Sequence, residues 1–335
     1  MNRGNDMFKN IAYIVIAVLV GVILFNWYSI SSSTKELNKN VVSDKGVNTG
    51  VFRFFSTDLS KRSIELEDVL SGGPGKDGIP ALNKPKFVFV SNSKILPETE
   101  GLFVENKNER RFYPFSILVW HEIVLDKVGG VPLAITFCPL CGSAIVFERM
   151  VDNVVLDFGV SGFLFESNLL MYDKETESLW SQAKGEAVVG DKTGTKLTIF
   201  PAQILSFAEV KKRYADTRVL STDTGFIRDY TRNPYSGYEE DEKLFFPVSV
   251  NDKRFPAKTP MYVIPFKSKS ITLSYRDIPE TFKKEFVVEG EKIVIEKANE
   301  EIIARLGEKV LPGYFEMWFS WATHHQKDGV VLDTK

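Results

Sequence analysis

The stretch YPFSILVWHEIVLDKVGGVPLAITFCPLCGSAIVFE, residues 113–148, decides the fold. Strand-length apolar runs rich in Val and Ile flank the Val128-Gly129-Gly130 turn, and a third run, Ala144–Phe147, follows the cysteines. That pattern predicts antiparallel strands. Working outward, SAIVFERMVDNVVLDFGVSG (143–162) reads as a hairpin about RMVDN, and NLLMYDKETESLWSQ (168–182) as strand, acidic turn, strand. PMYVIPF (260–266), SITLSY (270–275), EFVVEGEKIVIEK (285–297) and YFEMWFSWA (314–322) read as further strands and tight turns. Only ILSFAEVKKRYADT (204–217) carries a helical stripe, with Phe207, Val210 and Tyr214 at helical spacing. The expected class is mainly β, an α+β chain with few helices. A strand–connector–hairpin order recurs in both halves, so two related β-lobes are expected, 51–200 and 201–335.

Two segments resist regular structure. LSGGPGKDGIPALNKPKF (70–87) gathers four glycines and three prolines and predicts an irregular loop. GFIRDYTRNPYSGYEEDEKLFFP (225–247) reads as a long aromatic loop. Ahead of the body, IAYIVIAVLVGVILFNWY (11–28) is uncharged over eighteen residues. Arg3 and Lys9 precede it, and Trp27 and Tyr28 close it. This predicts a short cytoplasmic tail (1–10), a transmembrane signal anchor (11–28) and a polar linker (29–50), then an extracytoplasmic body (51–335). The expected setting is a single-pass attachment to the cell membrane, with cleavage of the segment the alternative.

Charge narrows the partners. The chain of 335 residues holds 42 basic and 44 acidic side chains, a formal net charge of -2. No basic excess exists to hold a phosphate backbone, so no nucleic acid partner is expected. A Walker A loop, a dinucleotide fingerprint, HExxH and G-x-S-x-G are all missing, so the usual nucleotide, flavin and hydrolase readings lose their support.

Chemistry concentrates at Cys138 and Cys141, the only two cysteines. A thioredoxin-type pair needs a helix after its first cysteine to lower the thiol pKa. Here Gly142 and a β-type run follow. The C-P-L-C-G turn is instead knuckle-like, suited to offering two thiolates to a metal. The chain has three histidines, His121, His324 and His325. His121, on the run across the Gly turn, is the expected third ligand of a Cys2His site for zinc or copper. Glu122 is the weaker candidate, because adjacent strand residues face opposite sides. Two alternatives stand beside it: thiol–disulfide exchange through Cys138 and Cys141, and a non-catalytic scaffold stapled by their disulfide. Asn168, Tyr172, Trp180 and Gln182 are candidate pocket residues beside the cysteines. The acidic turn YDKETES reads as an exposed turn rather than a glycosidase pair, and the adjacent His324-His325 as a solvated turn.

GKDGIPAL (75–82), the long stretch 113–149, FGVSGFLFESNLLMYDKETESLWSQAKGEAVVG (158–190) and YTRNPYSGY (230–238) together resemble the family catalogued as domain of unknown function 3179. The resemblance covers roughly residues 60–330, and matches at His121, Cys138, Cys141, Asn168, Tyr172, Asp173, Trp180 and Gln182. It implies a membrane-anchored or secreted prokaryotic protein and brings no reaction with it. Similar proteins commonly place His-Pro where Tyr214-Ala215 stands here.

Overall fold

Strand pairing organises the chain around the stretch quoted above. The computed structural model describes residues 49–334. The expected anchor and nearly all of the linker lie outside the described residues. Among the described residues no helix is long and apolar enough to cross a membrane.

The central sheet has eight strands. Its order runs Gly329–Val331, Lys269–Ser274, Pro260–Phe266, Tyr314–Met317, Ser143–Glu148, Val131–Cys138, Ile123–Val128, with Thr198–Ile199 paired to Ser143–Glu148. The hairpin Ile123–Val128/Val131–Cys138 turns at Gly129-Gly130, and both glycines adopt positive φ. Against this sheet packs a five-stranded one, whose middle is Phe158–Phe165, Asn168–Asp173 and Leu179–Ser181. Their shared core holds Phe147, Phe158, Met171, Trp180, Met261, Trp318 and Trp321, together with both cysteines. A fully buried phenylalanine such as Phe158 contributes about 1.5–3 kcal/mol. A second five-stranded sheet, around Glu100–Asn106 and Glu109–Pro114, a four-stranded meander over 281–311 and the two-stranded pair Met150–Val151/Val154–Val155 complete the described body.

The mainly β expectation holds, with three short α-helices among the described residues. Phe207–Arg213 lies where the helical stripe predicted one, and its N-cap Ser206 accepts from the Glu209 amide at 3.2 Å. The other two, Phe115–His121 and Trp318–His324, fall in runs read as strand. Every residue of Trp318–His324 is buried, so no polar face marks its period, and the apolar run alone cannot separate helix from strand.

The recurring element order is visible. A hairpin, a helical turn and a second hairpin run from Glu100 to Cys138, and again from Pro260 to Ala298. The two stretches do not form separate lobes, because Tyr314–Met317 pairs with Ser143–Glu148 inside one sheet. Gln203–Ser206 likewise pairs back onto Glu100–Asn106.

Candidate functional site

The strand Val131–Cys138 ends at the first cysteine, and Ser143 opposite Cys138 begins the next. The loop between them is Pro139–Gly142. Pro139 presets the bend, the Cys141 amide returns to the Cys138 carbonyl at 3.2 Å, and Gly142 closes the turn at φ 55°. A Cβ on Gly142 would also lie 3.2 Å from the Met317 side chain. The Met317 amide donates to the Cys141 carbonyl at 2.8 Å, which ties the turn to the last helix.

Both cysteines are free and buried, at 2% and 0% exposure. They differ electrostatically. Burial pushes the Cys138 thiol up, but hydrogen bonds from the Cys141 thiol and from the amides of Leu169, Cys141 and Leu140 outweigh it, so Cys138 ends below the ordinary thiol range. Cys141 is held well above that range, by burial first and then by its bond to Cys138 and the neighbouring negative charge. Asn168 and Ser320 act in the opposite sense, stabilising a Cys141 thiolate. The Cys141 sulfur also lies 3.1 Å from the Ser167 carbonyl.

The structure does not bring His121 to the cysteines. His121 ends a helix rather than sitting on a strand, and both its ring nitrogens are occupied, Nδ1 by the Pro80 carbonyl at 2.8 Å and Nε2 by the Tyr230 hydroxyl at 2.7 Å. Among the described residues no group of three or more His, Cys, Asp or Glu side chains could hold a metal ion. The expected Cys2His centre for zinc or copper therefore lacks its third ligand. Strand alternation does not apply to a residue that ends a helix, and the neighbour whose carboxyl feels the Cys138 charge is Glu122, the weaker candidate. Its backbone caps the helix at φ 58°, its carbonyl accepts from the Phe137 amide at 2.8 Å, and its side chain is buried. Burial, followed by the charge on Cys138, pushes the Glu122 carboxyl well above the ordinary range.

Of the four pocket candidates, two stand behind the turn and two elsewhere. Asn168 and Gln182 are buried and joined in a network: Ser143 Oγ and Asn168 Nδ2 donate to Gln182 Oε1 at 2.6 and 2.9 Å, while Gln182 Nε2 donates to Thr136 Oγ1 and the Ser143 carbonyl at 3.1 and 3.2 Å. They hold the strands rather than line a cleft. Tyr172 donates to Asp77 at 2.6 Å, and the Trp180 indole to Asp173 at 2.7 Å. Asp173 in turn accepts from Thr176 across the acidic turn, and Glu177 pairs with Lys76, so these carboxylates build the turn.

The aromatic loop covers the site. No helix or strand lies between Leu220 and Pro260. Tyr230 meets His121, and the Arg232 carbonyl accepts from the Trp120 indole at 3.1 Å. Tyr235 and Tyr238 lie close enough to be titrated upward by their neighbours: burial leads in each case, with Glu122 and then Cys138 acting on Tyr235, and Cys141 and then Cys138 on Tyr238. Lys258 pins this strap, its ammonium donating to the carbonyls of Tyr238, Asp241 and Lys243 at 2.5, 2.5 and 2.8 Å. Replacing Lys258 with methionine releases those carbonyls, and is expected to speed alkylation of native Cys138 by about tenfold, through easier local opening, as read by quantitative mass spectrometry. An unchanged rate would mean that the strap does not gate the cysteines.

The adjacent histidines are not a solvated turn. His324 is buried within its helix, Nδ1 bonded to the Ser320 carbonyl at 2.9 Å, and burial pushes its pKa down to about 3. Nearby Glu316 is pushed up to about 7, again by burial first. The two oppose each other in pH. A raised carboxyl stabilises the fold fully below its unfolded pKa and loses that contribution as pH rises towards about 7. A depressed histidine gains stability as pH rises from about 3 towards its ordinary value. Glu316→Gln removes the falling contribution, so its unfolding free energy should climb more steeply between pH 4.5 and 7 than that of the parent, as urea denaturation at several pH values will show.

A family model described as a protein of unknown function (DUF3179) matches residues 76–313. The chain belongs to the DUF3179 family. The matched part of this DUF3179 chain contains the cysteine turn, Glu122, the Asn168–Gln182 network and the strap with Lys258, whereas Ser320 lies beyond it. No curated protein and no solved structure matches the chain.

Proposed function

We propose that this protein is a thiol–disulfide oxidoreductase in which Cys138 is the attacking thiolate and Cys141 the resolving thiol. The observation that carries this reading is the Pro139–Gly142 turn itself, which places two free, buried cysteines at either end of one tight bend, with Cys138 held below and Cys141 well above the ordinary thiol range.

The chemistry balances within the pair. The Cys138 thiolate attacks one sulfur of a substrate disulfide, that S–S bond breaks, and the other substrate sulfur leaves as a thiolate. Tying Cys138 into a mixed disulfide removes its hydrogen bond with Cys141 and then its charge, the two causes that hold Cys141 up after burial, and Asn168 and Ser320 then stabilise the new thiolate. The Cys141 proton passes to the departing substrate thiolate. Cys141 attacks the Cys138 sulfur of the mixed disulfide and releases the second substrate thiolate, leaving a Cys138–Cys141 disulfide. The substrate gains two electrons. In the reverse direction the proton returned to Cys141 comes from the attacking substrate thiol, and Cys138 leaves as the thiolate. The apolar run 11–28 supports placing this activity outside the cytoplasm, on the membrane, where disulfide substrates persist.

The test is a redox titration of the full-length protein in detergent. Equilibration with mixtures of reduced and oxidised glutathione, followed by alkylation and mass spectrometry, should show both thiols disappearing together at one potential. Two thiols that stay alkylatable in oxidised glutathione alone would overturn the reading.

A further inference from the structure

We propose that Glu316 is the base for the resolving cysteine: the Ser320 hydroxyl relays the Cys141 proton to its carboxylate as Cys141 attacks the mixed disulfide. The inference rests on the thiol reading above and adds a residue which that reading does not use.

The chain brings the three groups together at one junction. The strand Tyr314–Met317 runs straight into the helix Trp318–His324, and the Met317 amide between them donates to the Cys141 carbonyl at 2.8 Å. Glu316 precedes that amide, and Ser320 lies in the first turn of the helix after it. All three side chains belong to the interior: Cys141 and Ser320 are fully buried, and Glu316 is 1% exposed. Ser320 Oγ and Glu316 Oε2 make no hydrogen bond of ordinary geometry among the described residues. The Ser320 hydroxyl nevertheless stands near enough to both neighbours to stabilise a charge on either, the Cys141 thiolate or the Glu316 carboxylate. A hydroxyl accepts through its lone pairs while it donates its one proton. It can therefore take a proton from Cys141 and pass its own to Glu316.

The surroundings of Glu316 suit a base. On its own strand Tyr314 Oη donates to Glu316 Oε1 at 3.3 Å. From the helix end His325 draws the carboxyl down, with His325 Nδ1 held by Asp328 at 3.1 Å. Asp328 acts on Tyr314, and Lys184 on His324 and Asp328, but neither acts on Glu316. Glu316 also borders a cavity that holds Lys258, Arg276, Glu100, Glu239 and Glu300, and none of those charges moves its carboxyl. Burial dominates and sets it at about 7, so a useful fraction is ionised at neutral pH and ready to accept. His325 lines a surface pocket of about 350 Å³ with Lys184 and Asp328, and on that side Glu316 gives the proton up.

Atoms and charge balance. The Cys141 S–H bond breaks, the Cys141 sulfur bonds to the Cys138 sulfur, and the substrate sulfur leaves Cys138 with the electron pair. One proton moves from Cys141 to Ser320 Oγ and another from Ser320 Oγ to Glu316, which leaves the Ser320 hydroxyl turned to the new thiolate. Glu316 then returns its proton to solvent while the departing substrate thiolate takes one up, so the net transfer to the substrate is unchanged.

The experiment mixes the reduced full-length protein, in detergent, with the disulfide of thionitrobenzoate and follows thionitrobenzoate release by stopped-flow absorbance. Attack by Cys138 releases the first equivalent at a rate that scales with reagent concentration. Attack by Cys141 releases the second at a rate that does not. In the parent the second rate should rise with pH and level off above about 7, as Glu316 becomes fully ionised. Glu316→Gln should slow it at least about tenfold at neutral pH and remove the levelling, and Ser320→Ala should do the same. The first rate, set by Cys138, should stay within about threefold in both variants, a split that a merely structural role would not produce. A second rate that keeps the parent's size and pH profile in either variant would overturn the relay and leave the thiol reading intact. A first phase that never appears fails the thiol reading, and a first phase with no second fails Cys141 as the resolving thiol. The infrared S–H stretching band of the Cys138→Ser variant, in which Cys141 is the only thiol, then decides the relay alone. A band that shifts as pH passes about 7, and stays fixed once Glu316→Gln or Ser320→Ala is added, supports it; a band indifferent to pH overturns it.

Discussion

Replacing Cys138 with serine is expected to slow iodoacetamide labelling of the folded, reduced protein at pH 7 by on the order of 100-fold. The thiolate is the reacting species, and the two cysteines share it very unequally. Cys138 draws hydrogen bonds from the Cys141 thiol and the amides of Leu140, Cys141 and Leu169. Cys141 stays a thiol because it is buried and because Cys138 beside it carries the charge. Removing Cys138 lifts only the second of those restraints, so Cys141 remains slow. The reciprocal Cys141→Ser change keeps the three amides and offers a hydroxyl in place of the lost thiol donor. Its labelling rate should stay within about threefold of the parent. Similar losses in both variants would mean that the two sulfurs are electrostatically equivalent and that no nucleophile has been singled out.

The largest effect on stability is expected at Gln182. Changing it to leucine removes the acceptor of Ser143 Oγ and Asn168 Nδ2 and the donor to Thr136 and the Ser143 carbonyl, all within a dry interior. At least about 3 kcal/mol should be lost, since each buried group left unpaired costs about 1–3 kcal/mol. Urea denaturation measures it. Gln326→Leu is the control: that side chain makes one bond, to the Thr323 carbonyl at 3.1 Å, and should cost under about 1 kcal/mol. A Gln182→Leu loss no larger than the control would show that the network contributes little.

How legible this was in the sequence depends on which physical signal each feature leaves. Strand runs around Gly129-Gly130 and the helix capped by Ser206 announce themselves through alternation, turn chemistry and helical spacing. Trp318–His324 could not, because a helix buried on every side has no polar face to reveal its period. The cysteine turn was visible as a motif, and Gly142 as its hinge. The choice between His121 and Glu122 was not, since it turns on whether the chain before Ile123 is helix or strand. Glu122 takes a positive φ at the helix C-cap, and it is Glu122 whose carboxyl feels the Cys138 charge. Asn168 and Gln182 stand in a buried network with Ser143 and Thr136, and spacing alone cannot tell a pocket wall from such a network. The strap was legible as an aromatic loop. Its covering role emerges only from Lys258, which lies well beyond Tyr238 in the chain and returns to hold its carbonyl.

The pH dependence of alkylation at Cys138, assigned by peptide mass spectrometry on the reduced full-length protein, tests the central claim most directly. The account predicts a single Cys138 titration below the ordinary thiol value of about 8.5, with Cys141 still unreacted where Cys138 labels fully. A Cys138 that titrates at or above that value, or a Cys141 that labels first, would contradict it.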